Sequence, residues 1–350
     1  MTPRILMTGN DAIGEGAVLA GCECYFGYPI TPQNELTAFM ARRMPALHRV
    51  FIQAESEIAA INMVYGSAAA GKRSMTSSSG PGISLKQEGI SFLAAAELPA
   101  VIVNVQRGGP GLGNIAPSQS DYFQATKGGG HGDYHQIVLA PHSVQEMYDL
   151  TILAFDLADK YRTPVMILTD GRLGQMMEPM CLREEPAPAA PPKDWALTGA
   201  RGRKPNVVRS LYLVEGELEQ LNLRLQAKYR RIEAAEVRCE EVEVADCDVL
   251  LVAYGTSARL AKGALDAARA QNRKVGLLRP LSLWPFPYQR LGEIAARVKG
   301  VLTIEMSSGQ MLEDVRVAVN GRAPTGFVGR MGGAVPSESE ILRVIERMVA

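Results

Sequence analysis

Pro99-Ala100-Val101-Ile102-Val103-Asn104-Val105-Gln106-Arg107-Gly108-Gly109-Pro110-Gly111 is the stretch on which the fold turns. From Pro99 to Val105 it reads as a continuous apolar run bounded by Pro and Gly. A strand covered on both faces of a parallel sheet has this pattern, because neither face meets water. On its N-terminal side, Val50–Ala54 predicts a strand, about Glu55 to Ala70 a helix, Ser74–Ser77 a short strand and Ile83–Glu97 a second helix. On its C-terminal side, a helix from Ser143 to Lys160 leads into the strand Pro164–Thr169. This alternation of strand and helix predicts a layered α/β domain.

The Pro-rich run Glu184 to Pro192 then breaks the pattern and predicts an extended linker, within about 184–210. A charged helix is expected from Glu215 to about Glu236, and Asp248–Gly255 restarts the strand pattern. A helix (Ser257–Ala270) and strands at Lys274–Leu278 and Gly300–Ile304 complete a second, smaller α/β domain. The boundaries expected are 1–230 and 235–350.

Composition excludes several classes. The 350 residues are 47% hydrophobic and 21% charged, as in a soluble globular protein. Lys+Arg and Asp+Glu are both 37, so the basic excess of a nucleic-acid binder is missing. Met1 to Asn10 has no signal-peptide core, and no apolar run approaches the roughly 18 residues of a membrane span. The expectation is a cytoplasmic protein without membrane insertion. The five cysteines include no Cys-x-x-Cys pair, so ligands for any iron–sulfur or zinc chemistry would come from another chain.

Four segments are candidate sites. Gly66-Ser67-Ala68-Ala69-Ala70-Gly71-Lys72-Arg73 is one residue from a phosphate loop, but Arg73 stands where magnesium needs Ser or Thr, and a helix precedes it instead of a strand. A helix end capped by Gly71 is the expected reading. His131-Gly132-Asp133-Tyr134-His135 offers three ligand types, yet on a loop with no further ligands nearby, so no metal site is assigned. In Gly27-Tyr28-Pro29-Ile30-Thr31-Pro32, Thr31 suits a helix N-cap and Pro32 the first helical position. The fourth is a set: Ala54-Glu55-Ser56-Glu57, Thr76-Ser77-Ser78-Ser79-Gly80-Pro81-Gly82 and Gln106 to Gly111 each follow an expected parallel strand, where α/β folds place ligands.

Taken together, these motifs make the sequence resemble the α subunit of 2-oxoacid:ferredoxin oxidoreductases, most closely the separate-chain type of the branched-chain (2-oxoisovalerate) enzyme. The carriers are Gly27 to Pro32, Gln53 to Glu57, Ser79 to Gly82 and Gln106 to Pro110, with Glu305-Met306, Gly309 to Met311 and Gly332 to Pro336 in the closing domain. They stand in the family's order along nearly the whole chain.

The resemblance implies a pyrimidine-type, thiamine-diphosphate-binding parallel-sheet domain and a smaller transketolase-C-like α/β domain. It implies CoA-dependent oxidative decarboxylation of a 2-oxo acid to acyl-CoA and CO2, with electrons passed to ferredoxin. A partner β subunit would hold the diphosphate, Mg2+ and a [4Fe-4S] cluster, with γ and ferredoxin-like δ subunits completing an assembly of anaerobic metabolism. This chain would be inactive alone. By the motif match, Glu57 hydrogen-bonds the pyrimidine nitrogen and favours the imino tautomer that removes the thiazolium proton. Glu55 competes, but residues two apart on a helix face different ways. Arg107 would hold the substrate carboxylate through paired charge-assisted bonds, and Thr31 would donate to the substrate. Pro29, Ile30, Ser79 and Gly80 would line the cofactor cleft. Gln119, His131 and His135 would shape the substrate pocket. Branched-chain 2-oxo acids are the expected substrates, with 2-oxoglutarate or an aryl 2-oxo acid as alternatives. A non-catalytic scaffold and a nucleotide binder are the rival classes.

Overall fold

The computed structural model describes residues 4–183 and 190–349. Of the expected Pro-rich linker, residues 184–189 lie outside the described residues. The chain runs β1 (Arg4–Thr8), α1 (Gly9–Leu19), β2 (Cys24–Gly27), α2 (Asn34–Ala46), β3 (Val50–Gln53), α3 (Glu57–Ala69), β4 (Ser74–Ser78) and α4 (Gly80–Ala95). Next come β5 (Ala100–Gln106), α5 (Tyr122–Thr126), β6 (Ile137–Leu139), α6 (Val144–Tyr161), β7 (Pro164–Asp170), α7 (Gly171–Gln175), β8 (Met177–Cys181) and the long α8 (Glu217–Ala235). The C-terminal part is β9 (Cys239–Val242), β10 (Val249–Ala253), α9 (Gly255–Ala270), β11 (Val275–Pro280), β12 (Ser282–Trp284), α10 (Tyr288–Ala295), β13 (Gly300–Glu305), α11 (Gln310–Val319), β14 (Thr325–Gly329) and α12 (Glu338–Val349).

Two main sheets result. The first has the order β12-β6-β7-β5-β4-β2-β3 and is parallel except for β12; the second has the order β14-β13-β10-β11-β9 and is parallel except for β9. Every residue of β5 and β7 is buried, as their apolar runs demand. The protein is α/β with a larger and a smaller parallel-sheet unit. One strand crosses the expected division: β12, from the C-terminal half, pairs antiparallel with β6 and closes an edge of the first sheet. The short pair β1–β8 carries no apolar run long enough to announce it from sequence.

Several hydrogen bonds seat one sheet on the other. Gln119 is fully buried; its Nε2 donates to the Tyr254 carbonyl (2.8 Å), and its Oε1 accepts from Ser257 Oγ (2.7 Å) and the Met306 N–H (2.9 Å). Its own N–H donates to the Met306 carbonyl (2.9 Å). At the end of β7, Asp170 caps α7 and accepts from Thr256 Oγ1 at 3.0 Å. On the opposite flank, Arg279 of β11 grips both oxygens of Glu146 on α6 at 2.9 and 2.6 Å.

Burial works to raise the Glu146 carboxyl, but bonds from His142 and Arg279 outweigh it and hold the group at about 2, against an ordinary 4.5. A carboxyl depressed in the folded state stabilises above its unfolded value, and that contribution is lost as pH falls toward the folded one. Thermal scans should therefore show the native protein losing more melting temperature than a Glu146→Gln variant between about pH 5 and about pH 2.5.

Candidate functional site

Parallel strands β2, β3, β4 and β5 end along one edge of the first sheet, so the loops that follow them share that edge. After β3, Ser56 caps α3 by accepting from the Ala59 N–H (3.2 Å), and Glu57 begins the helix. Glu57 is 6% exposed, whereas Glu55 is exposed in the preceding turn. The two glutamates thus part because the helix begins between them; they do not share it as expected. The Glu57 carboxylate rests on the first turn of α4. A Cβ added to Gly82 would stand 2.5 Å from Glu57 Oε1 and 2.1 Å from Ser78 Oγ, so glycine is what admits the carboxylate.

Helix α4 starts at Gly80, earlier than the expected Ile83, with Pro81 in its first turn. Gly80 has φ +39°, and a Cβ there would meet Arg107 Cγ at 3.6 Å. Arg107, directly after β5, is 7% exposed; Nη1 donates to the Thr31 carbonyl (3.0 Å) and Nη2 to the Leu112 carbonyl (2.9 Å). Its Nε is buried without a partner, as are the hydroxyls of Ser78 and Ser79. Pro29 is exposed and Ile30 half-buried on the loop after β2.

Thr31 and Pro32 do not start a helix. The Gln33 N–H bonds the Ile30 carbonyl (3.1 Å), which places both residues in a turn, and α2 begins at Asn34. Thr31 Oγ1 accepts from Asn34 Nδ2 (3.2 Å), a side-chain bond and not a backbone cap.

A cleft of about 810 Å³ opens between the two sheets. Gly80, Pro81, Leu85, Arg107 and Asp121 line one side, and Ser307, Gln310 and Met331 the other. Among the expected site residues it brings together Gly80 and Arg107. Glu57, Ser79, Thr31, Pro29 and Ile30 are not in its lining, although Thr31 and Glu57 reach it through Arg107 and α4.

Three expectations change. Gln119 does not shape this pocket, since its amide is spent holding the sheets together. His131 is exposed and edge-on to Phe92, while His135 stacks on Trp284 at 4.8 Å; neither lines the cleft. Among the described residues, no group of three His, Cys, Asp or Glu could hold a metal. The near-phosphate loop is a helix end: Gly71 has φ +86° and closes α3, and Arg73 is buried, its Nε on Asp159 (2.7 Å) and Nη2 on Asp156 (3.0 Å). That arginine is a structural ion pair, and the nucleotide reading falls with it.

Two family descriptions match the chain: "Pyruvate flavodoxin/ferredoxin oxidoreductase, thiamine diP-bdg" over residues 15–217, and "Pyruvate:ferredoxin oxidoreductase core domain II" over 247–341. The ketoisovalerate oxidoreductase subunit VorB of Methanothermobacter marburgensis is 56% identical over 343 residues, 98% of this chain and 97% of that one. The chain belongs to the 2-oxoacid:ferredoxin oxidoreductase family. The 2-oxoglutarate synthase subunit KorA of Methanothermobacter thermautotrophicus is 36% identical over 380 residues, 99% of this chain and 100% of its own. Among solved structures, the 2-oxoglutarate:ferredoxin oxidoreductase from Magnetococcus marinus, with 2-oxoglutarate, coenzyme A and succinyl-CoA bound, superposes with a TM-score of 0.87 at 28% identity. All of this chain matches 66% of that longer one. A split-gene transketolase shares the fold at a TM-score of 0.62 and 15% identity.

The residues of this oxidoreductase-family subunit fit one end of thiamine diphosphate. A buried carboxylate beside two unspent serine hydroxyls suits the polar edge of an aminopyrimidine. Lys86 and Asp121 escaped the sequence reading. Lys86 had a signal, since it falls in the helical register of the buried Ile83, Ile90 and Leu93; Asp121, on an irregular loop, had none. Gly82→Ala should keep the melting temperature within a few degrees yet displace Glu57. Assayed in the assembled enzyme, it should lose roughly 100-fold in turnover, the cost of a misplaced group.

Proposed function

We propose that this chain is the aminopyrimidine-binding α subunit of a CoA-acylating 2-oxoacid:ferredoxin oxidoreductase that acts on branched-chain 2-oxo acids. The observation that carries this reading is the near-full-length 56% identity to a ketoisovalerate oxidoreductase subunit. The thiamine-binding unit is residues 1–230, with β12 lent to it, and the transketolase-C-like unit is 235–350. In the reaction the carboxyl carbon leaves as CO2, the acyl carbon is taken up as a thioester of CoA, and the electrons pass to ferredoxin.

Thiamine diphosphate supplies, when bound, a nucleophilic carbon and an electron sink for the substrate carbonyl. Glu57 holds the proton at the pyrimidine nitrogen. Arg107 has committed two of its five N–H groups to backbone carbonyls, and as a residue of the cleft wall it keeps N–H groups for the substrate carboxylate. Thr31, fixed through its carbonyl on that arginine, donates its hydroxyl to the substrate. Pro29, Ile30, Ser79 and Gly80 border the cofactor.

A β subunit brings the diphosphate site, Mg2+ and a [4Fe-4S] cluster, with γ and ferredoxin-like δ subunits, in a cytoplasmic enzyme of anaerobic metabolism. Exposed apolar side chains beside the site support a partner there: Ile58, Leu85, Leu112 and Ile115 are all about half exposed or more. Among the described residues no helix is long and apolar enough to cross a membrane.

Purification from the native host under anaerobic conditions tests the reading. The expected result is a complex containing thiamine diphosphate and iron, with dye reduction that requires both 2-oxoisovalerate and CoA. A monomer without cofactor overturns it. In that complex, Arg107→Ala should lower kcat/KM by about 100-fold or more, as expected for two charge-assisted bonds, and leave the cofactor content unchanged.

A further inference from the structure

Lys86 is a lysine with no exposed surface, and the chemistry above leaves it unused. It stands on α4 one turn after Gly82, on the same helix face, and a helical side chain leans back toward the N-terminus. Gly82 is where the Glu57 carboxylate rests. The ammonium is tethered by β4, donating to Thr76 Oγ1 (2.9 Å) and to the Ser77 carbonyl (3.4 Å). Both acceptors are neutral, and a buried charge without an opposite charge is costly.

Glu57, whose carboxylate rests on α4 at Gly82 one turn earlier, is the carboxylate that shares its helix face across the α3–α4 packing, beyond direct ion-pair contact. Strands β4 and β5 bring no ionisable side chain. Other ionisable groups against α4 are Tyr65 of α3, Asp170 of β7, Arg107 over Gly80 at its start, and His131 and Tyr134 beside Phe92 and Gln87 farther along; Asp170 is spent on Arg172, Leu173 and Thr256. Burial pushes the Lys86 ammonium down to about 8, with Glu57 drawing it back up.

We infer that Lys86 is a positioning residue whose ammonium is the counter-charge of the Glu57 carboxylate, fixing the charge with which Glu57 meets the pyrimidine ring. The inference rests on the role given to Glu57 above. Lys86 touches neither cofactor nor substrate; it acts through the carboxylate. Charge is its contribution, so a neutral side chain of similar length should keep the packing and lose the effect.

The test uses the assembled complex, stripped of cofactor and titrated with thiamine diphosphate by calorimetry in buffers of different ionisation enthalpy. This reads proton uptake on binding as a function of pH. In Lys86→Met and Lys86→Gln, the midpoint of that uptake should move to higher pH by about one unit, the effect of removing a nearby opposite charge. The acidic limb of turnover should move with it. A double-mutant cycle adds a readout without cofactor. Lys86→Met leaves a lone buried carboxylate and Glu57→Gln a lone ammonium, so the double variant should melt above the temperature that the two single losses predict.

The two readings fail separately. If Glu57→Gln alone leaves proton uptake and turnover at native values, the role of Glu57 is wrong. If Glu57→Gln abolishes them while both Lys86 variants keep the native midpoint and the cycle is additive, the present inference is overturned and Lys86 is packing only.

Discussion

The site exists because Gln119 holds two sheets at a fixed separation. One buried amide serves the end of β10, the start of α9 and the end of β13 at once, and nearly all its hydrogen-bonding capacity is used. In a water-free junction each such bond is costly to leave unmade, so the contact has few ways to slide. The cleft lies where that junction stops. Loops after β4 and β5 form one wall, and the loop and helix start after β13, with Met331, form the other. The seam between the two sheets supplies this cleft.

Within that seam, glycines decide what can approach. Gly82 admits a carboxylate against the first turn of a helix, and Gly80 lets the chain turn into that helix over the stem of Arg107. The same neighbourhood gathers opposing charges out of water: Glu57 and Lys86 on one side of α4, Arg107 and Asp121 at its start. Burial raises Asp121, with Asn104 and Arg107 resisting, so the site concentrates electrostatic work in a few side chains held by regular elements.

Much of this was legible in the residues. The apolar runs at Pro99–Val105 and Pro164–Thr169 announced buried parallel strands because a doubly covered strand leaves no polar alternation to confuse the reading. The place of Arg107 just after a buried strand was legible in the run before it, whereas Glu57 was told from Glu55 only by the resemblance. Pairing across long separations was not. The partnership of β12 with β6 joins residues far apart in sequence, and three-residue strands carry no pattern of their own. Thr31-Pro32 misled because the residues that favour a helix start also favour a turn, and only the Gln33 to Ile30 bond decides between them. The His131 to His135 loop misled by composition: ring stacking on Trp284, which depends on that distant strand, gives His135 its place.

The strand exchanged between the halves also bears on how the chain is made. Synthesis delivers β6 and β7 well before Ser282–Trp284 emerges, so the edge of the first sheet stays open while the second sheet is still being translated. An open edge recruits other strands. Sealing of the first sheet therefore waits for a short segment from the C-terminal half, and a shortened product that ends before it would carry an open sheet edge.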